Sequence, residues 1–434
     1  MRNIIILAML CFMPAALLAR SGAEEKAAAA SFIDALATGD FPGAAALVDP
    51  ALQGLMPPPV LKRIWQSLEA GYGKFRGRGE PERVPAGAVA ACAFEKGELE
   101  FFVPLSGSGK IAGLSMNPVQ APGAEAAMIT EAAVTLGSGK WALPGTLALP
   151  KGSGPFPGAV LVHGSGMADR DETVWPNRMF RDLAQGLAAR GVAVLRYDKR
   201  NFAHTDLLGE SIRTDTVNEE TVADAVAAAA LLAGRGEVDP ARVYVIGHSH
   251  GGAMAPRIMR DCGDKCAGFV ALAGTTEKAG AAMLRQKTYI YSLDGKISAA
   301  EQKDLDDIKA KADAIEDPAL AADGPVIFGA APAYWLDLRG YFPPEAAKEL
   351  RKPALILQGE RDYQVTMADL AAWKEALAPL GLAEFKSYPK LNHFFMEGDG
   401  PSTPAEYARP GRMAGYVMDD IAAWLSARRD AGAK

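Results

Sequence analysis

Apolar residues recur along this chain in two rhythms, and the change between them divides it. Residues 24–116 mix helical and alternating spacing. Residues 27–36 carry apolar side chains at helical intervals and stop at Thr38-Gly39-Asp40, and residues 41–48 read as a second short helix. After Pro57-Pro58-Pro59, residues 60–70 set Leu61, Ile64, Trp65 and Leu68 on one helical face. Residues 89–94 and 99–105 alternate as strands do, with Lys96-Gly97 as the turn between them. The pattern predicts a small α+β domain with no histidine and no concentration of reactive side chains.

Residues 117–125, which include Asn117-Pro118 and Pro122-Gly123, read as a linker. The segments 127–135 and 141–149 flank Gly137-Ser138-Gly139 and predict an antiparallel hairpin. A regular alternation then begins. Short apolar runs at 159–162, 192–195, 243–246, 269–272 and 354–357 are separated by helical patterns, clearest at 180–190 and 217–232. That order predicts an α/β domain over residues 126–434, with a mostly parallel sheet flanked by helices. Residues 275–350 interrupt it. Ser298 and Glu301 form a capping box, Ile297, Leu305, Ile308 and Ile315 mark one apolar stripe, and Tyr334, Trp335, Tyr341 and Phe342 add aromatics. This insertion reads as a helical lid over a site at the sheet, or else as ordinary helices on the sheet edge.

Composition narrows the possibilities. The chain has 434 residues, 49% hydrophobic and 23% charged, which fits two folded domains and not a disordered chain. A net charge of −6 leaves no basic face for nucleic acid. At the N-terminus, Arg2 precedes an apolar run over residues 4–13, then Pro14 and small residues up to Ala23. That arrangement predicts a secretory signal peptide, residues 1–23, cleaved after Ala23. The run is too short to span a membrane, so no stable membrane insertion is expected after cleavage and the mature protein should be periplasmic or secreted. Export gives meaning to Cys262 and Cys266, which either close a small disulfide loop or remain free thiols. No metal site and no cofactor are expected.

The candidate chemistry centres on Gly247-His248-Ser249-His250-Gly251, which follows an apolar run and precedes a helix start. A serine on such a strand-to-helix turn lifts its hydroxyl out of the sheet, and glycines flank it because a Cβ would collide with neighbouring backbone. A serine nucleophile needs a base. The chain holds five histidines. His248 and His250 sit in the turn with side chains directed away from the hydroxyl, His163 ends a strand, and His204 lies in a polar loop. His393, after the strand expected at 384–388, remains as the base. Asp362, at the end of the strand 354–357, is the partner that would orient it, with Glu360 as the second choice. Oxyanion donors are expected at the His250 backbone and, in His163-Gly164-Ser165-Gly166, at Ser165 or Gly166. His163, Trp335, Tyr341 and Phe342 are candidate substrate-binding residues.

These segments, with Asp169-Arg170-Asp171-Glu172, Arg196-Tyr197-Asp198-Lys199-Arg200, Gly359-Glu360-Arg361-Asp362 and Asn392-His393, resemble bacterial serine hydrolases of the α/β-hydrolase superfamily, in the esterase and serine-aminopeptidase-like branch. The resemblance spans about residues 125–430. It implies an α/β-hydrolase fold with a helical lid insertion and a Ser-His-Asp triad that cleaves a small-molecule acyl substrate through an acyl-enzyme. The region before the linker is similar to the small α+β domain that precedes some such esterases. One departure stands out: Asn201-Phe202-Ala203-His204 follows Lys199-Arg200, where related hydrolases carry glycines and a serine. Carboxylic esters are the expected substrates. Amides, peptides or acyl transfer to an alcohol are the alternatives for the same triad, and a binding protein that has lost catalysis is the alternative from another class.

Overall fold

The computed structural model describes residues 22–84, 87–119, 123–204, 207 and 214–428. The expected signal peptide thus lies almost wholly outside the described residues. The chain forms two compact units that part near residue 121.

In the first unit, helices Gly22–Thr38, Phe41–Leu47 and Pro58–Tyr72 accompany strands β1 (Phe75–Arg78), β2 (Glu82–Val84), β3 (Gly87–Phe94), β4 (Gly97–Pro104) and β5 (Ser115–Pro118). The strands form one antiparallel sheet in which β1 and β2 pair with β3, β3 with β4, and β4 with β5. Phe32, Ile33 and Leu36 of the first helix, Leu61 and Trp65 of the third, and Phe94, Leu99, Phe101 and Val103 of the sheet bury against one another. The helical face read from Leu61 and Trp65 is therefore the buried one. The residues read as the start of the linker are instead the end of β5, where Asn117 pairs with Glu100. Pro118 is tolerated there because an edge strand need not offer every N–H.

The second unit contains an eight-stranded sheet. Its strands are β6 (Ile129–Leu136), β7 (Leu143–Pro150), β8 (Phe156–Val162), β11 (Ala193–Tyr197), β12 (Val238–His248), β13 (Gly268–Leu272), β14 (Ala354–Gly359) and β15 (Ala383–Tyr388). Two short strands, β9 (Thr173–Val174) and β10 (Asn177–Arg178), pair apart from it. The order is β15-β14-β13-β12-β8-β11-β7-β6. The first six run parallel, and the expected hairpin β6–β7 adds two antiparallel strands at one edge.

Strand periodicity builds both cores. Ala159 and Leu161 of β8, Tyr244 and Ile246 of β12, and Leu355 and Leu357 of β14 face one side, under helices Met179–Ala189 and Gly415–Ala427. Their alternates Val160, Val162, Val243, Val245, Ala354 and Ile356 face the other, under Ala223–Ala233, His250–Cys262 and Met367–Leu377. Because both faces are covered, these strands read as continuous apolar runs. Each fully buried Val, Leu or Ile contributes roughly 1.5–3 kcal/mol, so the central strands hold rigidly whatever sits at their ends.

Between β13 and β14 the chain inserts helices Ala279–Ser292, Ala299–Glu316, Pro332–Leu338 and Pro343–Leu350. The Ser298–Glu301 capping box is present, and Leu305, Ile308 and Ile315 are the buried stripe of the second of these. Cys262 and Cys266 are joined as a disulfide, and Cys92 is a buried free thiol. Among the described residues no helix is long and apolar enough to cross a membrane.

Candidate active site

β12 ends at His248, and the helix His250–Cys262 begins two residues later. Ser249 makes this sharp turn with φ 53° and ψ −115°, a conformation a side chain rarely adopts and one that costs about 1–3 kcal/mol. Its backbone N–H is anchored to the Leu272 carbonyl at 2.8 Å. The flanking glycines are required by space. A Cβ on Gly247 would strike the backbone of Gly251, and one on Gly251 would strike the carbonyls of Val162 and His163. Ser249 Oγ is not spent on capping the helix it starts.

His393 lies in the loop after β15. Asn392 shapes that loop, since its Oδ1 accepts from the N–H groups of Phe394 and Met396 at 3.1 Å each. His393 Nδ1 donates to Asp362 Oδ2 at 2.6 Å, both side chains being buried. Asp362 Oδ1 accepts from the N–H groups of Gln364 at 2.7 Å and Val365 at 3.0 Å, which fixes the carboxylate plane. The second-choice acid, Glu360, is turned elsewhere and accepts from Ser387 Oγ at 2.7 Å. His204 is tied to the Ala142 carbonyl at 2.9 Å beside Trp141.

A second carboxylate–histidine pair, which the sequence reading missed, sits behind the first. His248 Nε2 donates to the His393 carbonyl at 3.0 Å, and its ring lies 4.6 Å from that of His393. His248 Nδ1 faces Glu172 Oε2 at 3.0 Å as an ion-pair contact, and neither buried atom makes a hydrogen bond. Both atoms that face the ring nitrogens are oxygens, an arrangement that favours a charged imidazolium. Burial disfavours that charge, but Glu172 outweighs it and raises the His248 pKa; in return His248 holds the Glu172 carboxyl below its usual range despite burial. Glu172 Oε1 accepts the Gly164 N–H at 2.7 Å. The pair thus ties the loop after β8 to the loop that carries His393.

The loop after β8 approaches the serine closely: a Cβ on Gly164 would lie 3.3 Å from Ser249 Cβ. Ser165 and Gly166 follow, both exposed, with Gly166 at φ 88°. His250 opens the helix on the other side of Ser249. Lys199 holds the same loop from behind, donating to the Gly164 carbonyl at 2.8 Å. The His250 ring is buried near Tyr334, Nε2 to hydroxyl 3.4 Å, and burial pushes its pKa down to about 4, so it is neutral at pH 7.

The expected substrate-binding residues are placed otherwise than their sequence suggests. His163 is 1% exposed, with Nε2 on the Asp169 carbonyl at 2.9 Å and its ring 4.9 Å from Phe180. It is a buried strut of the loop, neutral because burial lowers its pKa to about 4. Trp335 is buried with its indole N–H on the Ile327 carbonyl, and Tyr341 donates to the Ala253 carbonyl with Arg257 over its ring. Phe342 is exposed at the start of its helix. Tyr334 is the aromatic of the insertion that reaches the turn. Arg285, from the first inserted helix, donates to the carbonyls of Tyr363 and Gln364 at 2.7 and 2.8 Å, gripping the loop that holds Asp362. Among the described residues no group of three or more His, Cys, Asp or Glu side chains could hold a metal ion.

Residues 159–409 match the model of the alpha/beta hydrolase family. The chain belongs to that family. Residues 29–114 match a second model, described as a protein of unknown function (DUF3887). Esterase EstD of Thermotoga maritima is 34% identical over 408 residues, which cover 91% of this hydrolase and 93% of that protein. Among solved structures, Est1E from Butyrivibrio proteoclasticus is 17% identical with a TM-score of 0.43, over 68% of this chain and 99% of that one. A puromycin hydrolase mutant is 15% identical with a TM-score of 0.47, over 82% of this chain and 47% of that one.

Proposed function

We propose that this hydrolase is an exported carboxylesterase in which Ser249, His393 and Asp362 act as nucleophile, base and acid. The observation that carries the reading is the buried 2.6 Å contact of His393 Nδ1 with Asp362, in a loop whose His393 carbonyl accepts from His248, the residue before the turn serine. With Nδ1 committed to Asp362, His393 presents Nε2 as the proton acceptor. His393 takes the Ser249 hydroxyl proton as Oγ bonds to the acyl carbon, and the carbonyl electrons move onto oxygen. The N–H groups of His250 and Ser165 or Gly166 stabilise that oxyanion. Collapse expels the alcohol, which takes the proton from His393 and leaves an acyl-enzyme. Water, deprotonated by the same base, then releases the acid and restores Ser249.

Ester over amide is favoured by the likeness to Esterase EstD across nearly the whole of both chains. The insertion over residues 275–350 is the proposed lid, with Tyr334 the residue nearest the turn. Export is supported by the apolar N-terminal run and by the Cys262–Cys266 pairing, which an oxidising compartment maintains. The test is turnover of a panel of nitrophenyl esters and aminoacyl anilides by the mature protein. Esters should be cleaved with at least about 10²-fold higher kcat/KM; preference for the anilides would replace the esterase reading with a peptidase one.

A further inference from the structure

Lys199 is a buried cation that the ester-cleaving chemistry above does not use. Only 3% of its side chain is exposed. Its ammonium contacts Glu220 Oε1 at 2.5 Å and donates to the Gly164 carbonyl at 2.8 Å. Glu220 is saturated in turn: Asn201 Nδ2 donates to it at 3.3 Å, and the Thr221 hydroxyl donates to its other oxygen. Burial alone would raise the Glu220 pKa, yet Lys199 beside it holds the carboxyl below its usual range. Glu220 stands in a π-helical turn, Asn218–Val222, ahead of the helix Ala223–Ala233. Turns of this kind re-aim side chains and recur at functional sites.

A buried ion pair contributes little to stability beyond what apolar side chains of the same size would give. What this one does contribute is direction. Cis peptide bonds among the described residues are confined to Gly154–Pro155, so the Gly164–Ser165 bond is trans. In a trans peptide the carbonyl and the next N–H point opposite ways in one plane. Fixing the Gly164 carbonyl on Lys199 therefore fixes the Ser165 N–H on the opposite side. Gly164 sits where its Cβ would come within 3.3 Å of Ser249 Cβ, and its own N–H is held by Glu172 at 2.7 Å. Both ends of this residue are gripped by buried charged groups. A cation on a carbonyl also polarises the amide, which makes its N–H a stronger donor.

We propose that Lys199, seated on Glu220, is a positioning residue for the oxyanion hole: it holds the Gly164 carbonyl and so aims and polarises the Ser165 N–H. The proposal rests on the reading of Ser249 as nucleophile and selects Ser165 over Gly166 as the donor from this loop. It also gives Asn201 a role: the side chain that replaces the usual glycine bonds Glu220.

The test compares Lys199→Met, which leaves Glu220 buried without its cation, with Lys199→Met/Glu220→Gln, which removes both charges, keeps an acceptor oxygen for Asn201 and turns an NH₂ towards the Thr221 hydroxyl, which can accept. Two quantities are read on each: KM and kcat for a nitrophenyl ester, per active site titrated with a phosphonate, and Ki for an alkyl trifluoromethyl ketone, whose adduct carries an oxyanion. Removing one oxyanion donor outright costs about 10²–10³ in kcat, so disturbing one through its neighbour should cost about 10–10². The expected result is that fall in kcat, an equal rise in Ki and a nearly unchanged KM. The ratio Ki/KM does not depend on how much protein is folded, so an unstable variant still reports. A wild-type ratio in the double variant would overturn the proposal. Ser249→Ala is assayed beside it: if that variant still turned over, the nucleophile reading would fail, whatever Lys199 does.

Discussion

Asp362→Asn changes one atom and should nearly abolish turnover. Asp362 Oδ1 receives two backbone N–H groups, from Gln364 and Val365, and Oδ2 receives His393 Nδ1 at 2.6 Å. An asparagine must turn its oxygen to those two N–H groups, since facing them with its NH₂ would leave buried donors opposed. Its NH₂ then points at His393 Nδ1 and forces that nitrogen to accept. The ring proton moves to Nε2, where a base must be bare. Gln358 cannot relieve this, because the group it turns to Asp362 Oδ2, at 3.3 Å, is its NH₂, a donor that also bonds the Val365 carbonyl at 2.8 Å. A wrong tautomer of this kind costs on the order of 10⁴-fold in kcat with KM little changed. Glu360→Gln disturbs only the Ser387 hydroxyl and should stay within about 3-fold of wild type. The assay is nitrophenyl butyrate hydrolysis per titrated active site, with circular dichroism as the control for folding. More than about 1% residual kcat in Asp362→Asn, or a greater loss in Glu360→Gln, would refute the reasoning.

Other consequences follow from the buried groups. His250, held neutral with a pKa near 4, is protonated in the unfolded chain below the ordinary histidine value of 6.5. Its folded pKa is depressed, so stability is lost as pH falls from about 7 towards 4. Between pH 7 and 5 that loss is about 2 kcal/mol, and His250→Gln should make the fall in unfolding free energy shallower by that amount; an unchanged slope would contradict the burial argument. Tyr334→Ala should raise KM most for long acyl chains. Tyr341→Phe, which loses the bond to the Ala253 carbonyl, should cost about 1 kcal/mol of stability and leave the chain-length profile intact. Reversed behaviour of the two tyrosines would place the acyl pocket elsewhere. Mass spectrometry of the unreduced protein should find the Cys262–Cys266 peptide lighter by about two hydrogens, and thiols alkylated at both positions would contradict the bridge.

The parallel sheet was legible because its strands are buried on both faces and appear as unbroken apolar runs, as at 243–246 and 354–357. Gly247, Ser249 and Gly251 were legible because a single tight turn imposes all three within five residues. Asp362 and His393 could be found by strand-end position alone. Glu172–His248 and Lys199–Glu220 could not, because partner choice is made by the fold: Glu172 and His248 are far apart in the chain, and the Asp169–Glu172 segment reads as one charged patch. A usable signal existed in His248 itself, since a histidine at the last position of a buried strand must find polar partners inside the protein. The contact of Tyr334 with His250 was hidden for a similar reason. Tyr334 and Trp335 are neighbours, and which of them faces the turn depends on the rotation of the short helix Pro332–Leu338, which sequence spacing leaves free. The linker reading failed at Asn117 and Pro118 because turn-forming residues are also tolerated on an edge strand.

The central claim, that Ser249 is an activated nucleophile, is tested most directly by reacting the mature protein with a fluorophosphonate and mapping the adduct by tandem mass spectrometry. One adduct per chain is predicted, on Ser249 within the peptide that contains Gly247 to Gly252, formed rapidly in wild type and lost in Ser249→Ala. Asp362→Asn and His393→Ala should slow its formation by several orders of magnitude at pH 7. Labelling of the alanine variant at the wild-type rate, or an adduct on any other residue, would contradict the account.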